Sequence, residues 1–377
     1  MSGPQPGSHK RTITVHELLE RSARAALDLQ REDGSFPPGQ NGVYDEPETP
    51  VRTTSHWLTT LSKVYALTGE RVFADAASDA ADYLLGDDAR PHGNTFYSRT
   101  VADKDACDGV IGQAAPIRGL SLAGRILDRE ELYKTAEEVF FLHPFDRRLG
   151  LWERVEIDGE RLSFDRTVNH QLTFAAAGAE LLRSVETVRD PLETFLDQLE
   201  KNMTQRKNGV IRHYINPPVS KVIRTVLGQP RHWPLLWNIL AFGYHSFSEE
   251  RRRKEIGYLP VVVSSLARLH REFPDHELWQ RGSIDTAVEY LTSRDSDGAY
   301  RIRTAASGSM LPGIEAGYGL FVFGYMDPCR DLIAADISEH FDAERGLLDR
   351  NATDPISQSS KIYNLALFPD PQFTIRL

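Results

Sequence analysis

The chain has 377 residues, of which 40% are hydrophobic and 26% charged, the composition of a globular protein with ample material for a core. A net charge of −10 repels phosphate backbones and excludes nucleic acid as the expected partner. No run approaches the ~18 uninterrupted apolar residues of a membrane span, and two cysteines, Cys107 and Cys329, supply neither a disulfide framework nor metal-ligand spacing.

Residues 1–12 read as a disordered tail rich in Pro, Gly and Ser, without the apolar segment of a signal peptide. A cytoplasmic location is therefore expected. Residues 13–377 read as a single domain built on a repeat. A helical stretch ends, a short polar loop follows, and then comes Gly, a spacer and an apolar residue. The pattern appears at Gly34-Ser35-Phe36, Gly93-Asn94-Thr95-Phe96, Gly150-Leu151-Trp152, Gly209-Val210-Ile211, Gly298-Ala299-Tyr300 and Gly346-Leu347-Leu348. The spacings between these glycines are 59, 57, 59, 89 and 48 residues. Such self-similarity at a near-constant period marks a repeat architecture.

Between glycines the pattern predicts two helices. The first pair covers 54–67 and 71–85, where Phe73, Ala76, Ala77, Ala80 and Leu84 fall on one helical face. The next pairs are 108–127 with 130–142, and 166–183 with 190–203. The fourth interval holds 233–247 and a longer helical region to Leu291. Then come 312–326 with 328–341, and a last helix at 357–367. The first helix of each pair is apolar all round, as in 169–182, 233–244 and 312–326, which predicts burial. The second is amphipathic. Six such pairs predict an all-α (α/α)6 toroid, with the first helices as an inner ring and the second as an outer ring. Strand is expected only near 151–164.

Each inner helix opens on a polar or aromatic cluster: His56-Trp57, Asp108 with Gln113, Asp165 with Asn169-His170-Gln171, Trp233 with Trp237, Glu315, and Lys361 with Tyr363-Asn364. In a closed ring these clusters converge on one mouth. Aromatic faces stack on sugar rings, polar groups bind hydroxyls, and helix N-termini favour an anionic sugar such as a uronate. Each cluster also has a plainer reading. Asp before a helix is commonly a cap, Trp is commonly core, and His56 and His170 suit satisfied core positions. Glu315 is costly one turn into a buried helix unless paired. Asp108 and Asp165 lie 57 residues apart, equal to the local repeat length. They should occupy equivalent positions on adjacent hairpins, where two carboxylates can take acid and base roles. No metal motif, phosphate loop or dinucleotide fingerprint is present, and no cofactor is implied.

The stretches 105–120, 140–152 and 163–182 resemble the AglQ family of archaeal surface-glycan (agl) gene clusters. More distantly, the layout resembles six-hairpin unsaturated glucuronyl and rhamnogalacturonyl hydrolases. The second resemblance implies that Asp108 and Asp165 fit the two inner-helix aspartates of those hydrolases, with Asp165 at the acid/base position. The first implies a carbohydrate-active enzyme in assembly of a protein N-glycan, such as that of a surface layer, containing hexuronic acid. Its partner would be a sugar or a nucleotide- or lipid-linked saccharide. The reaction would be proton-transfer chemistry: hydrolysis, hydration or isomerisation. Two rival readings differ in class. One is a non-catalytic glycan-binding or scaffold toroid. The other is a terpenoid cyclase-type toroid, prompted by residues 30–36 (QREDGSF), which requires an apolar cavity.

Overall fold

The computed structural model describes residues 12–40, 45–244, 248–305, 310–370 and 372–376. The repeat glycines explain how each hairpin begins. All six have positive φ, between 66° at Gly93 and 89° at Gly209, a conformation open to glycine at no steric cost. At Gly34 the requirement is doubled, because a Cβ there would lie 2.2 Å from the carbonyl oxygen of Asp79. Each loop follows an outer helix: α1 (Val15–Leu27), α3 (Arg71–Leu85), α5 (Glu130–Leu142), α7 (Arg189–Asn202), α11 (Ser283–Thr292) and α14 (Met326–His340).

The inner ring consists of α2 (Val51–Thr68), α4 (Ile111–Ile126), α6 (Val168–Leu181), α10 (Glu249–Glu272), α13 (Pro312–Val322) and the 3-10 segment Lys361–Leu367 with the short α15 (Pro355–Ser360) before it. Each packs on the next, and the 3-10 segment packs back on α2, so the ring closes. Inner helices are apolar on nearly every face because they have neighbours on nearly every face. In α6, twelve of fourteen residues are buried. Outer helices bury one stripe, as in α3 with Phe73, Ala76, Ala77, Ala80 and Leu84.

The seam is held by β1 (Thr12–Thr14) and β5 (Thr374–Arg376), which pair antiparallel with Ile13 opposite Ile375. Thr12 is therefore strand rather than tail, while residues 1–11 lie outside the described residues. Three further strands, β2 (Phe145–Asp146), β3 (Leu151–Val155) and β4 (Arg161–Phe164), form one small sheet; β3 and β4 fall where strand was expected, and β2 precedes that stretch.

One helix assignment from sequence is corrected. The fourth inner helix is α10, not 233–247. Two helices, α8 (Val219–Gly228) and α9 (Pro234–Tyr244), are inserted before it, which accounts for the 89-residue spacing. The remaining helix, α12 (Arg301–Ala305), is a short piece of the fifth loop.

Candidate active site

The inner helices surround a cavity of about 1200 Å³, including its open mouth. Its wall takes side chains from every member of the ring. Examples are Arg52 and His56 of α2, Arg118 of α4, Asn169 of α6, Arg268 of α10, Glu315 of α13, and Lys361 and Tyr363 of the 3-10 segment. A cavity lined by four cations and several amides and hydroxyls is unlike the apolar chamber that the cyclase-type reading requires.

Charge in the cavity is unevenly matched. Lys361 donates to Glu315 Oε1, and Arg52 bridges Glu48 at 3.0 Å and Asp108 at 2.6 Å. Arg118 and Arg268 have no such partner among the described residues. Arg118 is only 2% exposed, yet its Nε and Nη2 make no hydrogen bond, and neither does Nε of Arg268. Asn169 Oδ1, Ser264 Oγ and Glu315 Oε2 are likewise buried without partners. Native proteins satisfy nearly all such groups. A set of orphaned atoms around one cavity is what a polar ligand would complete.

The titratable groups follow from this excess of cations. Burial, reinforced by Arg118, Arg52 and Lys361, holds the His56 imidazole well below its ordinary range, so it is neutral at pH 7. Its Nδ1 is engaged by Ser360 Oγ at 3.0 Å, and its ring lies 4.1 Å from that of Tyr363. Burial opposes ionisation of Tyr363, but Arg118 and Arg268 outweigh it and bring the phenol below its usual value. Burial also lowers Arg118 to about 10, leaving it protonated at neutral pH.

Asp108 and Asp165 meet, as the repeat spacing predicts, at a turn preceding α4. Asp108 itself is left-handed, with φ of 53°, and Gly109 follows at 60°. A Cβ on Gly109 would lie 2.4 Å from Asp165 Oδ2, so glycine makes room for the second carboxylate. Asp165 Oδ2 accepts from the Val110 amide at 3.3 Å and from His170 Nδ1 at 2.9 Å. Asp108 accepts from Arg52 and, at 2.7 Å, from Arg99. Neither carboxylate nor His170 forms the cavity wall itself. They stand beside it, and Asp108 is joined to it through Arg52. Burial opposes the Asp165 charge, but His170 prevails and holds the carboxyl far below its ordinary range. Burial likewise opposes the His170 cation, and Asp165 prevails, raising that imidazole.

Several residues expected at the ligand lie elsewhere. Gln113 and Gln171 are buried clamps. Gln113 accepts from Phe96 N and donates to Phe96 O and Cys107 O, at 2.7, 3.0 and 2.8 Å. Gln171 does the same for Trp152 N, Trp152 O and Asp165 O, at 3.0, 2.8 and 3.1 Å. Each thereby pins the apolar residue of its repeat loop and fixes the backbone at or just before an aspartate. Thr54 and Gln358 hold Phe36 and Leu348 in equivalent places. Trp57 is core, 1% exposed and 5.8 Å from Phe36. Trp233 and Trp237 belong to the α8–α9 insertion and face outward, 54% and 51% exposed. His56, Asn169 and Glu315 do line the cavity.

Sequence reasoning passed over Arg118 and Arg268. The available signal was an arginine inside an apolar inner helix, the same feature that singled out Glu315. Among the described residues no group of three His, Cys, Asp or Glu side chains is placed to hold a metal. No described helix is long and apolar enough to cross a membrane.

No protein-family model matches the chain. Archaeal glycosylation protein Q of Haloferax volcanii is 38% identical over 363 residues, 95% of this chain and 98% of that protein. This chain belongs to the archaeal glycosylation protein Q family. Solved structures of the same ring are more distant in sequence. D-mannose isomerase superposes with a TM-score of 0.64 at 12% identity, covering 97% of this chain and 99% of that one. Cellobiose 2-epimerase from Bacillus thermoamylovorans gives 0.62 at 12% identity, covering 93% and 98%. An unsaturated glucuronyl hydrolase specific for heparin gives 0.57 at 12% identity, covering 94% of each chain. These three share with this member of the family the (α/α)6 toroid.

Proposed function

We propose that this protein is a carbohydrate-active enzyme of archaeal glycan assembly, acting in the cytoplasm on a hexuronate-containing saccharide carried on a nucleotide or lipid. The observation that carries this reading is the pair of buried guanidiniums, Arg118 and Arg268, that have no carboxylate partner among the described residues. A guanidinium fork matches a carboxylate bidentately, and where both guanidiniums are buried such a pair prefers an acidic sugar over a neutral one. The relative's role in glycosylation supplies the pathway class.

The chemistry supported best is proton transfer at the carbon next to the hexuronate carboxylate, as in C5 epimerisation, because the anomeric carbon of a carrier-linked sugar is tied up in its glycosyl bond and offers no carbonyl. His56 is neutral with Nδ1 occupied by Ser360, which leaves Nε2 to accept a proton from carbon. His170, raised by Asp165 and standing just outside the cavity wall, supplies the returning proton by way of solvent, and its arrival on the opposite face of the resulting enediolate gives the epimer. Hydrolysis is less well supported, because Asp108 and Asp165 are both committed to cations already present. Asp165 then acts through His170 as a positioning residue rather than as the acid itself.

Glycan mass spectrometry of a deletion strain tests the reading. Assembly should stop at an intermediate ending in a hexuronate, the wild-type gene should restore the full glycan, and an Arg118→Met/Arg268→Met variant should not. Restoration by that variant, or arrest at a neutral sugar, would overturn the assignment.

A further inference from the structure

The inserted hairpin α8–α9 carries apolar side chains on its outer side. On α8, Val219, Ile223 and Leu227 are 49%, 46% and 79% exposed, at i, i+4 and i+8. At α9, Trp233 just before the helix and Trp237 and Leu240 within it recur at i, i+4 and i+7, each more than half exposed. The opposite faces are anchored: Val222 and Thr225 of α8 are buried, as are Leu235 and Asn238 of α9. The hairpin is therefore fixed in place with its apolar stripes turned to solvent. Exposed apolar surface arranged in this way marks a contact site.

Charge says which kind. The chain as a whole is acidic, yet residues 201–248 contain no Asp or Glu and seven Lys or Arg. Some of these cations are spent within the fold. Arg206 pairs with Glu255, and Arg231 with Glu153. Among the described residues Lys221 donates to the Arg148 carbonyl at 2.6 Å and Gln198 Oε1 at 2.9 Å, and forms no salt bridge. Lys221 and exposed Arg224 share a shallow surface depression with Arg148, beside the apolar stripe of α8. Leu and Trp next to Lys and Arg, on helices lying along a surface, are the composition that seats in the headgroup layer of an anionic bilayer. A second copy of this chain fits less well, since a two-fold contact through this patch would bring like charges together.

The hairpin also has a defined place relative to the cavity. Asn238 Nδ2 donates to the carbonyl of Arg166 at 3.3 Å, and Arg166 Nη1 donates to the Pro234 carbonyl at 3.4 Å. Arg166 directly follows Asp165, beside the cavity. We propose that the outer face of α8–α9 is a peripheral docking surface for an anionic lipid bilayer, holding the rim of the ring at the membrane surface. This stands independently of the reaction assigned to the cavity.

The test uses the full-length protein with phosphatidylglycerol vesicles and with phosphatidylcholine vesicles. Co-sedimentation with the anionic vesicles at low salt, fading as salt rises, is expected. Lys221→Gln and Arg224→Gln should each weaken it about fivefold. Brominated phosphatidylglycerol should quench tryptophan emission in the wild type, and Trp233→Phe/Trp237→Phe should remove that quenching while leaving sedimentation largely intact. Leu227→Glu/Leu240→Glu should abolish sedimentation with an unchanged melting temperature, both residues being exposed. No sedimentation at low salt overturns the proposal. So does equal binding to both vesicle types, quenching that survives the tryptophan substitutions, or a concentration-dependent dimer abolished by Leu227→Glu/Leu240→Glu in place of vesicle binding.

Discussion

The guanidinium carbon of Arg118 lies 4.0 Å from the centroid of the Tyr363 ring. That contact and the lowered Tyr363 phenol are what Arg118 has in place of a carboxylate partner. A buried cation without an anion costs stability, and replacing it with an apolar side chain of similar length relieves the cost. Arg118→Met should therefore leave stability unchanged or raise it by about 1–3 kcal/mol, while binding of glucuronate or galacturonate is lost. Thermal melting and titration calorimetry read the two effects separately. A variant that melts lower and still binds the acidic sugar would make Arg118 a structural residue.

Gln171→Ala should behave in the opposite way. It leaves the amide of Trp152 and the carbonyl of Asp165 without their partner, while the Trp152 carbonyl keeps only the Asp165 amide at 3.3 Å. The expected loss is about 2–5 kcal/mol, as each unsatisfied group costs about 1–3 kcal/mol and neighbours relax. Denaturant unfolding measures it. A loss below about 1 kcal/mol would show that the clamp is dispensable.

Asp165→Asn removes the charge that raises His170. The imidazole should return toward its ordinary range or below it, because burial then meets the weaker pull of Asp108 in place of Asp165. Activity at neutral pH should fall, with part of it recovered at lower pH where His170 is again protonated. NMR titration of the His170 ring reports the shift directly. A purely capping role for Asp165 predicts unchanged activity in spite of the shift, since Asn caps a helix about as well as Asp.

Three histidines, His56 and His143 buried and His213 part-buried, set the acid stability. Burial drives His143 to about 4 and His213 to about 3, and His56 is also well below its ordinary range. Each stays neutral in the fold while the unfolded chain takes up a proton below about pH 6.5. Stability is therefore full above pH 6.5 and falls as the pH drops toward the folded values. His143 alone should account for about 3 kcal/mol of that loss. His170, being raised, works in the other direction, contributing at low pH and losing its contribution as pH rises through its folded value. Urea unfolding from pH 7 to pH 4 should show a net decline, made shallower by His143→Gln. A flat profile would contradict the burial of these rings.

The ring was legible in the sequence because its two signals are local. Positive φ requires glycine, and burial on all sides requires apolar helices, so both appear directly as residue types. The fourth hairpin misled for a physical reason. The segment 233–244 is apolar all round, like an inner helix, yet it presents Trp233, Trp237 and Leu240 outward. The true inner helix α10 opens with Glu249-Glu250-Arg251-Arg252-Arg253-Lys254, and its buried residues begin at Glu255. That charged first turn disguised the apolar run behind it. At the site, the Asp108–Asp165 encounter was readable from the repeat length. The division between Gln171, which holds backbone, and Asn169, which faces the cavity, was not. Two residues apart in a helix, they differ only in the direction they point.

Closure of the ring through β1 and β5 also bears on how the molecule comes apart. In an open stack of repeats an end unit has a single neighbour, so structure frays inward one unit at a time. Here every inner helix has two neighbours, and losing any one exposes apolar faces on both sides. The six hairpins are thus bound into one cooperative unit, and calorimetric melting should give a single transition. Two transitions would mean that the Ile13–Ile375 seam opens first and that the circle behaves as a bent line.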